Sequence, residues 1–188
     1  MLQSLIAADG KLLLFIQENI RNPVLTPIMQ VITRMGDHGL FWVILTLVLL
    51  AVPKTRKAGL CSFFALVCSY LFNNMFLKHA VGRVRPYEVI EGLQLLTVKA
   101  YDASFPSGHA SASFASAVAI YRSGQLTKPV RIGLIVFALL ISLSRLYVGV
   151  HYPTDVIFGV ISGICCGLIG AWLCRLAQEK SPVLRKYL

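Results

Sequence analysis

The sequence predicts an all-α membrane protein: a polytopic helix bundle of about five to six transmembrane helices, with an amphipathic N-terminal helix at the membrane interface. Three observations carry that expectation. Of the 188 residues, 56% are hydrophobic and only 14% are charged, where a soluble domain carries roughly a quarter. Mean hydropathy is +0.71, so lipid must replace water over much of the surface. Several apolar runs approach the ~20 residues that cross a bilayer core.

Residues 1–36 read as an amphipathic, interfacial segment. Asp9, Lys11, Glu18 and Arg21 are spread among Leu and Ile. A cleavable leader would show a charged stub, an uninterrupted apolar stretch and a small-residue cleavage site. The observed pattern suits a helix lying in the interface instead. Asn22-Pro23 breaks it. Residues 24–36 are either a second interfacial helix or the front of the first span.

Residues 37–188 read as one transmembrane domain. Spans are expected at residues 40–52, 58–77, 106–121, 132–150 and 155–174. The first is too short to cross unless it begins before Asp37. Residues 79–105 form the only long polar connection. The five cysteines (61, 68, 165, 166 and 174) all fall within spans and read as small buried hydrophobes.

Five spans put successive loops on alternate sides. Segments 53–57, 122–131 and 175–188 share one side and hold Lys54, Arg56, Lys57, Arg122, Lys128, Arg131, Arg175, Lys180, Arg185 and Lys186. That is 10 of the 18 Lys and Arg, which places this side and the C-terminus in the cytoplasm. The net charge of +10 is then topology and attraction to lipid headgroups, and no nucleic-acid partner is expected.

The opposite ends of the spans hold a different set of charges. Lys78 and Arg85 follow the second span, His109 opens the third, Arg145 closes the fourth, and His151 and Asp155 precede the fifth. Ionisable residues at membrane depth face a polar interior and mark function. Interfacial anchoring explains a single Lys or Arg, but not two His and an Asp gathered with them. Three cations without an acidic cluster or a metal-ligand triad suit a multiply charged oxyanion such as phosphate. Lys78 and Arg85 share a helix face if the helix runs that far. Pro106 suits the first turn of a helix, where the N–H groups of Ser107 and Gly108 form an anion seat. One His attacks phosphorus and the other protonates the leaving oxygen. His151, four residues from Asp155, suits the nucleophile with its orienting carboxylate. His109, beside the anion seat, suits the acid.

At these residues the chain resembles the type 2 phosphatidic acid phosphatase (PAP2) superfamily. Its blocks K-x6-RP, PSGH and SR-x5-H-x3-D stand here as Lys78…Arg85-Pro86, Pro106-Ser107-Gly108-His109 and Ser144-Arg145…His151…Asp155. The resemblance implies a phosphatase that uses no metal or other cofactor. It implies a phosphohistidine at His151 oriented by Asp155, His109 as acid, and Lys78, Arg85, Ser107, Gly108 and Arg145 as phosphate-binding residues. The implied partner is a membrane-borne lipid phosphate or diphosphate. The chain's small size looks like that of bacterial enzymes that recycle the polyprenyl carrier, so undecaprenyl diphosphate is the expected substrate. Phosphatidylglycerophosphate or phosphatidate is the alternative. A non-enzymatic lipid binder need not keep both His and the Asp. A transporter is expected to show internal repeats, which this sequence lacks.

Outside the blocks, Arg83 reads as a lipid-headgroup contact and His79 as interfacial. Asp37 and His38 mark a helix end. Tyr87, Tyr101, Tyr147 and Tyr152 read as an aromatic belt. Asn73 and Asn74 read as bonding across helices. Glu88, Glu91 and Asp102 are either solvated charges or a means of deterring a wrong headgroup.

Overall fold

The computed structural model describes residues 2–182. All regular structure among them is helical, as a lipid environment demands of backbone groups that need internal partners. Arg185 and Lys186 of the basic tail lie outside the described residues.

Helices α1 (Leu2–Asn19) and α2 (Leu25–Met35) are joined by a turn around Asn22. Its Oδ1 accepts the N–H groups of Val24 and Leu25, at 3.1 and 2.8 Å. A 3-10 turn, Asp37–Gly39, leads into α3 (Leu40–Ala51) with a bend of 48°. Next come α4 (Arg56–Ser69), a π-helical stretch Tyr70–Leu77, and α5 (Lys78–Val81). The short α6 (Pro86–Val89) precedes a long loop, and α7 (Gly108–Ser123), α8 (Lys128–Tyr147) and α9 (Pro153–Lys180) complete the bundle.

Among the described residues, three stretches are long and apolar enough to cross a membrane: Pro53–Val89, Lys128–Tyr147 and Pro153–Lys180. The bent pair of α2 with the segment ending at Ala51 makes a fourth if it is one broken span. The expected span at 106–121 is α7, with 16 residues, or ~24 Å at 1.5 Å per residue. It falls short of a ~30 Å core and sits inside the bundle. Ala110, Ser111, Ala115, Ser116 and Ala119 are buried around its circumference, and α9, α4 and α8 pack against it.

Small residues make that packing close. A Cβ at Gly159, Gly163 or Gly167 of α9 would meet the carbonyl oxygens of Ser107, Ser111 or Ala115 at 2.7, 2.6 and 2.8 Å. These glycines recur every four residues and form one face, the small-residue seam by which membrane helices approach. Hydrogen bonds add to it. Trp42 Nε1 donates to Ser113 Oγ at 2.8 Å, and Ser162 Oγ to Asn73 Oδ1 at 2.7 Å. The second bond is the cross-helix role expected of Asn73. The cysteines are free thiols, with Cys61, Cys166 and Cys174 buried and Cys165 exposed. The outer face exposes Leu47, Leu71, Phe76, Ile157 and Trp172, as a lipid-facing surface must.

The N-terminal helices also reach inward. Leu13 is buried with Leu93 and Tyr152, and Asp9 and Thr33 are buried polar residues. Both belong to the end of the bundle where the charged side chains meet.

Candidate active site

The loop between α8 and α9 carries His151, and the start of α9 carries Asp155. Tyr152 is the N-cap, Pro153 stands in the first turn, and Asp155 returns its carboxylate to the Tyr152 N–H at 3.0 Å. This capping arrangement fixes the carboxylate in place. Asp155 Oδ2 faces His151 Nδ1 at 3.5 Å and accepts the Ser104 hydroxyl at 2.5 Å. Both side chains are fully buried. With its Nδ1 proton directed at Asp155, His151 keeps its lone pair on Nε2. That nitrogen lies 3.4 Å from Arg85 Nη1. Burial first, then the charges of Arg85, Arg145 and Lys78, hold the His151 imidazole well below its ordinary pKa. This favours the uncharged form that a nucleophile must present.

Lys78 and Arg85 do not share a helix face. Gly82, at φ 58°, ends α5 in the left-handed conformation, and Arg85 is the N-cap of α6. They converge through the loop before α7. Asp102 accepts from Lys78 Nζ with one oxygen and from Arg85 Nη2 with the other, the latter at 2.6 Å. Arg85 also donates to the carbonyls of Asp102 and Val150, both at 3.0 Å. Burial raises the Asp102 carboxyl pKa, but the Lys78 hydrogen bond and the charges of Lys78 and Arg85 outweigh it and hold the group at about 2. Asp102 is therefore not a free solvated charge.

The start of α7 differs from expectation by two residues. Ser107 is the N-cap and Gly108 the first helical residue, while Pro106 precedes the helix after a cis peptide bond. The Ser107 N–H is spent on the Asp155 carbonyl at 3.1 Å. An anion at this helix start would therefore draw on the N–H groups of Gly108 and His109, which the first turn leaves without intrahelical acceptors. Asn74 packs against Gly108, where an added Cβ would lie 3.2 Å from its Oδ1.

His109 meets a residue from outside the three blocks. Its Nε2 lies 3.0 Å from Asp37 Oδ1, which is also 4.0 Å from Arg145 Nη1. One carboxylate oxygen thus joins His109 and Arg145 on one side of the membrane protein. Arg145 Nη1 also donates to Thr33 Oγ1, and its buried Nε has no hydrogen-bond partner among the described residues, so a donor remains for an oxyanion. Gly36 lies against the His109 ring, where a Cβ would be 2.6 Å from Cδ2. Among the described residues, no three His, Cys, Asp or Glu gather into a set that could hold a metal ion.

All eight expected site residues thus lie at one end of the bundle. The PAP2 superfamily model matches residues 58–179, a stretch that contains every one of them. The chain belongs to the PAP2 superfamily. An undecaprenyl-diphosphatase of Sulfolobus acidocaldarius is 34% identical over 140 residues, which is 73% of this chain but 62% of that protein. The chain thus spans less than two thirds of that relative's length. Undecaprenyl-diphosphatase BcrC of Bacillus subtilis is 31% identical over 153 residues, 79% of this chain and 74% of its own. The crystal structure of a transmembrane PAP2-type phosphatidylglycerolphosphate phosphatase from Bacillus subtilis superposes with a TM-score of 0.68 at 29% identity, over 95% of this chain and 87% of that one. Membership, with relatives that are phosphatases by name, supports a phosphatase enzyme.

Several residues of this PAP2 site escaped the sequence reading. Asp37, Asp102, Ser104 and Asp9 belong to no block, and Arg83 points inward rather than to lipid. Arg83 Nη1 donates to Asp155 Oδ1 at 2.7 Å. Tyr147 and Tyr152 are buried and so do not belong to an aromatic belt, whereas Tyr101 is fully exposed. A usable signal was scarcity. The chain has only 8 Asp and Glu against 18 Lys and Arg. Among the described residues every ion pair uses one of its four aspartates, Asp9, Asp37, Asp102 or Asp155.

Proposed function

We propose that this protein is an integral-membrane lipid phosphatase that hydrolyses undecaprenyl diphosphate to undecaprenyl phosphate at the extracytoplasmic face. One observation carries the chemistry. The free Nε2 of a neutral, carboxylate-backed His151 lies 3.4 Å from the guanidinium of Arg85, where a phosphate held by that guanidinium would sit.

In this reading Lys78, Arg85 and Arg145, with the N–H groups at the start of α7, hold the terminal phosphate. Ser107 positions that helix start. The phosphate takes over the hydrogen bonds that Asp102 now accepts. His151 Nε2 forms a bond to phosphorus, and the bond to the leaving oxygen breaks. His109 gives its proton to that oxygen, so the lipid leaves as a monophosphate. Asp155 offsets the positive charge on the phosphorylated imidazole. Water then attacks phosphorus, passing its proton to His109 and releasing inorganic phosphate. No step in this scheme needs a metal or other cofactor.

Residues 37–188 form the phosphatase domain in this reading. α7 crosses as the buried axis, and with the bent α2–α3 pair this gives five crossings. The basic turns then lie in the cytoplasm with the C-terminus, and the site opens outside. The two undecaprenyl-diphosphatase relatives support the substrate. The Bacillus subtilis structural neighbour supports the alternative, phosphatidylglycerophosphate or phosphatidate. The test is turnover by the purified protein across a panel of lipid phosphates. Undecaprenyl diphosphate is expected to give the highest kcat/KM, and a clear preference for a glycerophospholipid would overturn the assignment.

A further inference from the structure

We infer that the N-terminal helix belongs to the working site: Asp9, acting through Arg83, is a positioning residue for Asp155. The inference rests on the reading of His151 as nucleophile.

Asp155 is held at both oxygens. Oδ2 is shared by Ser104 Oγ, the Tyr152 N–H and His151 Nδ1, at 2.5, 3.0 and 3.5 Å. Oδ1 accepts Arg83 Nη1 at 2.7 Å. The same Arg83 nitrogen donates to Thr154 Oγ1 at 2.7 Å, and the other arm of the fork donates to Asp9 Oδ2 at 2.9 Å. The guanidinium lies 3.8 Å over the Tyr152 ring. A planar fork pinned on two carboxylates and a ring has no alternative orientation. Asp9 in turn accepts the Thr154 N–H at 3.1 Å and the Thr154 hydroxyl. It therefore caps the first turn of α9 from another helix, where a carboxylate is favoured.

The charges explain why a second acid is present. Arg83 beside Asp155 alone would leave a neutral pair facing His151. Adding Asp9 makes the trio formally −1, so Asp155 can still offset the cation that forms when His151 is phosphorylated. Asp9 is 4% exposed. Burying a carboxylate is costly without such pairing, and simple docking of an amphipathic helix does not need it. Asp9 also lies outside the matched region 58–179, so the domain model does not contain it.

The test compares Asp9→Asn, Asp9→Glu, Arg83→Gln, Arg83→Lys and His151→Ala in the full chain, with undecaprenyl diphosphate and phosphatidate as probes. Asp9→Asn should lower kcat by roughly 10- to 100-fold with KM little changed. Asp9→Glu and Arg83→Lys, which keep the charge, should recover part of kcat. Wild-type kcat per folded molecule in Asp9→Asn, with only thermal stability reduced, would make Asp9 a docking contact and overturn the inference. If Asp9→Asn does not fold, Arg83→Gln decides, because it breaks the same link to Asp155, and wild-type kcat per folded molecule there is also overturning. Should His151→Ala retain turnover, the nucleophile assignment itself fails. A dead His151→Ala with fully active Asp9 variants rejects this inference alone.

Discussion

The two imidazoles of the site sit in opposite surroundings. His151 is 1% exposed, and its carboxylate Asp155 is fully buried with both oxygens committed. The His109 side chain is 16% exposed and leans on Asp37, whose side chain is 48% exposed. One environment is sealed and the other opens on one side, through Asp37, and the division follows the chemistry assigned to each. A nucleophile must be neutral, fixed and shielded, so that its one lone pair meets phosphorus in line. An acid must give up a proton, regain one and accept a succession of leaving groups, which a sealed pocket would prevent.

The largest expected effect breaks the sealed side. His151→Ala should lower kcat by about 10^4-fold or more, since loss of the nucleophile removes the covalent path. It should also abolish any phosphorylated enzyme trapped from labelled substrate. Trapping a phosphoenzyme in this variant would move the nucleophile elsewhere. On the open side, His109→Ala should cost roughly 10^2- to 10^4-fold with a lipid leaving group. The loss should be much smaller with an aryl phosphate whose leaving group needs no proton. Equal losses on the two substrates would remove the acid role and blur the contrast.

The smallest effect concerns Asp102, 54% exposed and bridging Lys78 and Arg85. A carboxylate in the clamp competes with phosphate for the same donors. Asp102→Asn should therefore tighten vanadate or phosphate binding by a few-fold, less than the ~1.4 kcal/mol of a tenfold change. The sign with pH is fixed by its depressed pKa of about 2. The carboxylate is ionised well above that value and releases the clamp only as pH falls through it, so the gain should hold across the neutral range. Weaker binding in Asp102→Asn would make Asp102 a support for the clamp rather than a competitor.

Much of this protein was legible in order along the chain. Hydropathy alone located the apolar helices, because in lipid the backbone must satisfy itself within each segment. The three blocks, each local and placed at a helix end, singled out Lys78, Arg85, His109, Arg145, His151 and Asp155, which the fold gathers at one end of the bundle. Those readings need only neighbours within a few residues.

The remainder depended on contacts that sequence spacing does not encode. Asp37 reaches His109 across 72 positions, Arg83 reaches Asp155 across 72, and Asp9 reaches Thr154 across 145. Whether Arg83 faced lipid or the site was decided by α1 docking beside α9. The depth of α7 was decided by the glycine seam of α9, which let two backbones approach closely enough to make a 16-residue helix the axis of the bundle. Local sequence sets helix, cap and charge, because those energies act over one turn. The partner of a buried charge is chosen only when the helices pack, because only then does leaving it unpaired become costly.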